Sequence, residues 1–326
     1  MFYAVLRQFV RLGLRWYAPG LKAEYLAQAA YTAPSLIVSN HPNSLFDALV
    51  IGAYSPVEVY YLTRGDIFNH PVLNVILRGL FMLPVYKRGE DEEYAVKNDF
   101  TFDECIRKLE AGKHILLFPE GKSRNLHALQ PLMNGGLTSL LERCFRANIP
   151  VQIQPYMLKY NSFQHVPKAL KIRALDPVDS TNYIAGNEIQ TADILGEIRQ
   201  ALLDAQTKTA LLLEQPTLIN RQRWRIPAMM GYYTQFWFYK LWRDYVQEKT
   251  QGTIFFDSLL FGVLLISYPI FVLLCSMIIG KLAGFWIGLL VFLFLPATSY
   301  AMAIYQSIYV DTEEGPGKDN SFSSKK

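Results

Sequence analysis

His41 and Asp47 are the pair from which chemistry is most readily built. They stand in Asn40-His41-Pro42-Asn43-Ser44-Leu45-Phe46-Asp47, directly after the apolar run SLIV. A histidine at a strand end, with a carboxylate nearby to orient its imidazole and stabilise the charge that forms there, is the base half of a Ser-His-Asp arrangement without the serine. Such a pair would take the proton of a hydroxyl that a substrate brings. Residues six apart on one helix do not share a face. The arrangement therefore needs His41 in a loop and Asp47 in the first turns of the helix that follows, with Asn43 or Ser44 as its cap. A second group, Phe118-Pro119-Glu120-Gly121-Lys122-Ser123-Arg124, follows the run HILL. A glycine allowing close backbone approach, a hydroxyl and two cations suit a phosphate site above a sheet. Arg64, after VEVYYLT, suits the same work, and PVYKR ends in two more cations, Lys87 and Arg88.

Other reactive residue types read as structural. His70 lies in a second Asn-His-Pro, but the position matching Asp47 is Ile76, so it reads as a helix start. His114, His127 and His165 read as surface or loop histidines, and Asp66 with Glu90 to Glu93 as a solvated face. Cys105, Cys144 and Cys275 have no C-x-x-C spacing and read as packing residues, which leaves no zinc site or disulfide framework. No G-x-S-x-G is present to give a hydrolase its serine.

The elements that must position these residues are short apolar runs alternating with helical patterns. PSLIVSN, VEVYYLT, KHILLFPE and IPVQIQPYMLKYN read as strands, with a further one within Lys168 to Asp179. LFDALVIGAYS, HPVLNVILRGL, EYAVKNDFTFDECIRKLEAGK and NGGLTSLLERCFRAN read as helices, as does Thr191 to Leu213. Strands separated by helices imply an α/β fold with a mainly parallel sheet flanked by helices, and active residues at the carboxyl ends of its strands.

The composition calls for a lipid-facing part as well. Of 326 residues, 51% are hydrophobic and 18% charged, more apolar than an ordinary soluble enzyme. The net charge of +4 is mild and its cations are scattered, which gives no support to nucleic-acid binding. Two apolar runs, Ser258 to Ile279 and Leu282 to Tyr309, each exceed the ~20 residues of a spanning helix and predict a transmembrane helical hairpin turning at Gly280-Lys281. Five segments follow. Residues 1–30 form an N-terminal amphipathic helix at the membrane interface, and 31–220 the catalytic domain. Residues 221–252 form an aromatic and basic interfacial helix, 253–310 the hairpin, and 311–326 a disordered tail. Basic residues ahead of the hairpin place the catalytic domain and both termini in the cytoplasm, at a bacterial inner membrane or the endoplasmic reticulum.

In chain order, Asn40-His41 to Asp47, Gly79 to Arg88, Phe118 to Arg124 and Ile149 to Pro155 resemble the four motif blocks of the glycerol-3-phosphate and lysophosphatidic acid acyltransferase superfamily. The resemblance covers residues 31–175. It implies that His41 is the catalytic base held by Asp47, and that Arg88, Glu120, Gly121, Lys122, Ser123 and Arg124 bind the phosphate-bearing acceptor. It also implies an acyl-CoA or acyl-carrier-protein thioester as co-substrate and no metal or other cofactor. The expected reaction is acylation of 1-acyl-sn-glycerol 3-phosphate to phosphatidic acid at a lipid membrane. Alternatives are acylation of glycerol 3-phosphate or dihydroxyacetone phosphate and, in another class, a non-catalytic membrane lipid-binding protein. Two features depart from the usual pattern. Five residues rather than four separate His41 from Asp47, as in a branch with yeast-type glycerol-3-phosphate acyltransferases and some bacterial relatives. Phe81 and Met82 also stand where a small residue is common.

Overall fold

The computed structural model describes residues 2–26, 31, 34–87, 89–133, 135–208 and 218–310. Along the chain these form α1 (Phe2–Tyr17), β1 (Gly20–Glu24), β2 (Ser35–Ser39), α2 (Ser44–Tyr54), β3 (Val59–Arg64), α3 (Pro71–Gly79), β4 (Met82–Val85) and α4 (Tyr94–Glu110). Then come β5 (His114–Leu117), α5 (Gly136–Arg146), β6 (Gln152–Tyr160), β7 (Ala169–Ala174), β8 (Val178–Asp179), α6 (Thr191–Lys208), α7 (Leu218–Lys249), α8 (Phe256–Ala283) and α9 (Phe285–Val310). The disordered tail expected at 311–326 lies outside the described residues.

These eight strands form one mainly parallel sheet in the order β1-β7-β6-β2-β5-β3-β4, with β8 beside β6, and Ile184–Ala185 pairs separately with Glu188–Ile189. Antiparallel pairs occur where β6 meets β7 and β8. The segment Lys168 to Asp179 gives two strands rather than one, because Pro177 cannot donate to a ladder. Central β2 (SLIVS) and β5 (HILL) are buried throughout, which explains their unbroken apolar runs. Their side chains alternate between two cores. Ile37 and Leu116 face a core shared with α1, α2 and α8. Leu36, Val38, Ile115 and Leu117 face one shared with α4, α5 and α6. His114 is buried rather than at the surface: it opens central strand β5, and its Nδ1 lies 2.7 Å from Ser35 Oγ.

Helix α1 turns two of its three arginines inward, while Arg15 is exposed. Arg11 donates from Nε (3.0 Å) and Nη2 (2.6 Å) to Ala53 O, and Arg7 donates to Ser55 O. These cations thus satisfy carbonyls at the carboxyl end of α2, where the helix leaves acceptors without partners. Tyr3, Val10, Leu14 and Tyr17 are buried beneath α1, while Val5 and Leu12 are exposed.

α8 and α9 are two helices long and apolar enough to cross a membrane. Their turn is at Gly284, whose φ of +102° suits glycine alone, and not at Gly280-Lys281. Gly280 instead lies inside α8 where it passes closely against Gly288 of α9, leaving no room for a side chain on Gly288. α7 packs along the pair. Its buried Gln235 donates to Leu295 O (2.8 Å) and Thr298 Oγ1 (3.0 Å) of α9 and accepts from Tyr268 of α8 (2.7 Å). An apolar cavity of about 370 Å³ opens between α1 and this bundle, walled by Phe9, Trp16, Phe238, Leu265, Pro269 and Phe292.

Candidate active site

The site follows from strand register. Val38 of β2 pairs with Leu117 of the parallel β5, so the chain leaves both strands at one level and His41 meets Phe118. Their rings stack, with centroids 3.9 Å apart and planes within 10°. Asn40 fixes the exit of β2 by trading two bonds of 2.8 Å with the main chain of Leu158 on β6.

Asp47 lies in the first turns of α2 and is wholly buried. Its Oδ2 is 2.9 Å from His41 Nδ1 and accepts from the Asn43 amide at 2.7 Å. Its Oδ1 accepts from the Tyr160 hydroxyl at 2.7 Å. Three donors thus converge on one carboxylate in a place water does not reach. Burial first, then the Asp47 charge, pushes the Tyr160 phenol well above its ordinary range, so it remains a donor. The carboxylate holds Nδ1 of His41 protonated, which leaves Nε2 as the basic nitrogen. The His41 side chain is 18% exposed, enough to be reached from outside.

Asn43 occupies the cap position of α2, yet its side chain makes no cap bond. The helix start is capped from other parts of the chain: the Ser44 amide donates to Ser123 Oγ (2.7 Å) and the Phe46 amide to Ser258 Oγ (3.1 Å). With the Asn43 amide on Asp47, three of the first amides of this helix are already committed. The natural place for an oxyanion, a helix N-terminus, is here largely occupied by the protein itself.

Glu120, after β5, is buried, and burial pushes its carboxyl up to about 7 against the opposing pull of bonds from the Gln130 and His41 backbone. Gly121 has a φ of +66°, and a Cβ there would run into Met133 Sδ. Lys122 and Arg124 are exposed beside it and Ser123 is half-buried. The structure thus brings His41, Asp47, Glu120, Gly121 and Ser123 together, with Lys122 and Arg124 in the same loop. Arg64 instead turns to Asp66 in a two-bond pair (3.0 and 2.7 Å) at the surface. Arg88 lies outside the described residues. His70 precedes α3 as expected of a helix start. Among the described residues, no three His, Cys, Asp or Glu side chains group as a metal site would require.

Sequence reasoning missed Tyr160 and the stacking role of Phe118. Both stand at strand ends beside the motifs, a position that could have flagged them. It also missed Asp257, Ser258 and Lys168, which no local pattern ties to His41.

The Acyltransferase family model matches residues 22–159, a span that contains all four motif blocks. No curated protein matches the chain. Among solved structures, the chain is similar to the 1-acyl-sn-glycerophosphate (LPA) acyltransferase PlsC from Thermotoga maritima. Identity is 14%, the TM-score is 0.46, and the match covers 63% of this chain and 78% of that one. The likeness to the Acyltransferase family model thus lies in the part of the chain that carries β2 to β5 and the His41 site.

Proposed function

We propose that the protein is a membrane-bound O-acyltransferase that moves a fatty acyl group from acyl-CoA or acyl-carrier protein to 1-acyl-sn-glycerol 3-phosphate, giving phosphatidic acid. The observation that carries this reading is the His41–Asp47 pair, with Nδ1 held at 2.9 Å and the ring fixed on Phe118. His41 Nε2 takes the proton of the acceptor hydroxyl as that oxygen attacks the thioester carbonyl. The tetrahedral oxyanion then collapses, the carbon–sulfur bond breaks, and His41 returns its proton to the departing thiolate. Asp47, held in place by its two further donors, faces the imidazolium that forms transiently.

Lys122 and Arg124 suit the acceptor phosphate, the glycine between them and Glu120 letting the backbone approach. The two membrane-length helices and the apolar cavity beside α1 favour an acceptor that already carries an acyl chain. The five-residue interval between His41 and Asp47 favours a second reading, with glycerol 3-phosphate or dihydroxyacetone phosphate as acceptor. The assay that separates them is thiol release from palmitoyl-coenzyme A with each acceptor and with none. Release dependent on lysophosphatidic acid supports the first reading and release dependent on a water-soluble acceptor the second. Absence of release with every acceptor, acyl-carrier-protein donors included, favours a non-catalytic lipid-binding protein.

A further inference from the structure

Asp257 is an ionisable residue in the first turn of an apolar helix, and it is wholly buried. Carboxylates are seldom placed there without a task, since burial of the charge is costly. Its partners come from three distant parts of the chain. Tyr17, at the end of α1, donates to Oδ1 at 2.6 Å. Asn43 Nδ2 donates to Oδ2 at 2.7 Å, and Lys168 Nζ, also wholly buried, lies 2.8 Å from the same oxygen. The next residue, Ser258, accepts the Phe46 amide. Two consecutive residues of α8 therefore grip the His41–Asp47 loop at both sides of its turn.

A buried ion pair is weak evidence of a purely structural role, because apolar residues of similar volume often join such elements as well. A carboxylate adds a directed acceptor. Asn43 Oδ1 is buried without a hydrogen-bond partner, so its amide orientation is set by Asp257, which admits only the Nδ2 side. Asn43 is also the residue whose backbone amide holds Asp47.

We propose that Asp257 is a positioning residue for catalysis: through Asn43 it sets the loop that carries His41 and Asp47, making the start of the first membrane-length helix part of the active-site scaffold. The proposal rests on the acyl-transfer reading above. It assigns α8 a task besides anchoring. When the Asn43 amide leaves Asp47, more of the carboxylate charge falls on His41. The ionisable groups facing His41 are Asp47 on α2, Glu120 after β5 and, behind Asp47, Tyr160 on β6, which also feels the charge of Asp257.

The test uses full-length enzyme in detergent micelles. It compares wild type with Asn43→Ala, with the charge-balanced pair Asp257→Leu/Lys168→Met, and with all three changes combined. Thiol release gives kcat and KM, thermal melting reports folding, and ¹⁵N-histidine NMR, assigned with His41→Ala, gives the His41 titration. The expected result is a fall in kcat of about a hundredfold, the scale of a 1 Å misplacement, with KM little changed. The triple variant falls no lower than the worse of its parents, and the acid limb of kcat/KM moves to higher pH alike in all three. Folded variants with wild-type kcat and His41 titration, or losses that multiply in the triple variant, overturn the proposal. If wild type turns over no acceptor, the acyl-transfer reading fails, while the His41 titration still decides whether Asp257 positions the loop.

Discussion

The Tyr160 hydroxyl and Asp47 Oδ1 are 2.7 Å apart, so β6 holds the oxygen of this carboxylate that His41 does not use. Tyr160→Phe removes that donor and leaves a buried carboxylate oxygen unpaired. The expected cost is about 1–3 kcal/mol of stability, read as a lower melting temperature. We expect kcat to fall as well, since an under-bonded Asp47 is free to turn. A variant as stable and active as wild type would show the bond to be incidental.

Glu120 makes stability depend on pH in a direction opposite to that of a paired carboxylate. Its ordinary value is 4.5 and burial raises it to about 7. Below 4.5 the group is neutral in both the folded and unfolded chain and burial carries no charge penalty. Between 4.5 and 7 the unfolded chain ionises first, and above 7 the folded protein must hold a buried anion. Wild type therefore loses stability relative to Glu120→Gln as pH rises through this window. Urea midpoints from pH 4.5 to 8 check it, and a difference that stays flat or grows toward acid would contradict it.

Much of this arrangement was legible in the sequence because it is local. Alternation of apolar runs and helical patterns gave the parallel sheet, and a histidine just past SLIV had to stand at a strand's carboxyl end. The loop placement of His41 followed from helix geometry alone. What stayed hidden depends on distant pairing. Arg7 and Arg11 look like no more than a row of cations four residues apart until α2 is seen to end beneath them. Gly280-Lys281 looks like the hairpin turn because close helix packing and a turn both select glycine, and only backbone geometry separates Gly280 from Gly284. The caps of α2 come from Ser123 and Ser258, 79 and 212 positions from the amides they accept, so no local capping signal exists.

Gly121 combines a positive φ with a neighbour in the way. Gly121→Ala should cost about 1–3 kcal/mol from backbone strain and the clash with Met133. Adding Met133→Ala removes the clash but not the strain, so the double variant should recover part of the loss in thermal melting. Full recovery would show that backbone conformation contributes nothing.

The two membrane-length helices predict behaviour on extraction. After an alkaline carbonate wash the full-length protein should remain in the membrane pellet and be released by detergent. Recovery in the wash would show α8 and α9 to be an exposed helical pair that does not enter the bilayer.

The central claim is that His41 is the base of an acyl transfer. Its most direct test is palmitoyl-coenzyme A thiol release by purified wild type and His41→Ala, with lysophosphatidic acid as acceptor and melting curves to confirm folding. Wild type should release thiol only with acceptor present, and a folded His41→Ala protein should lose about 10²–10⁴-fold in kcat. Turnover that is unchanged in that variant would contradict it.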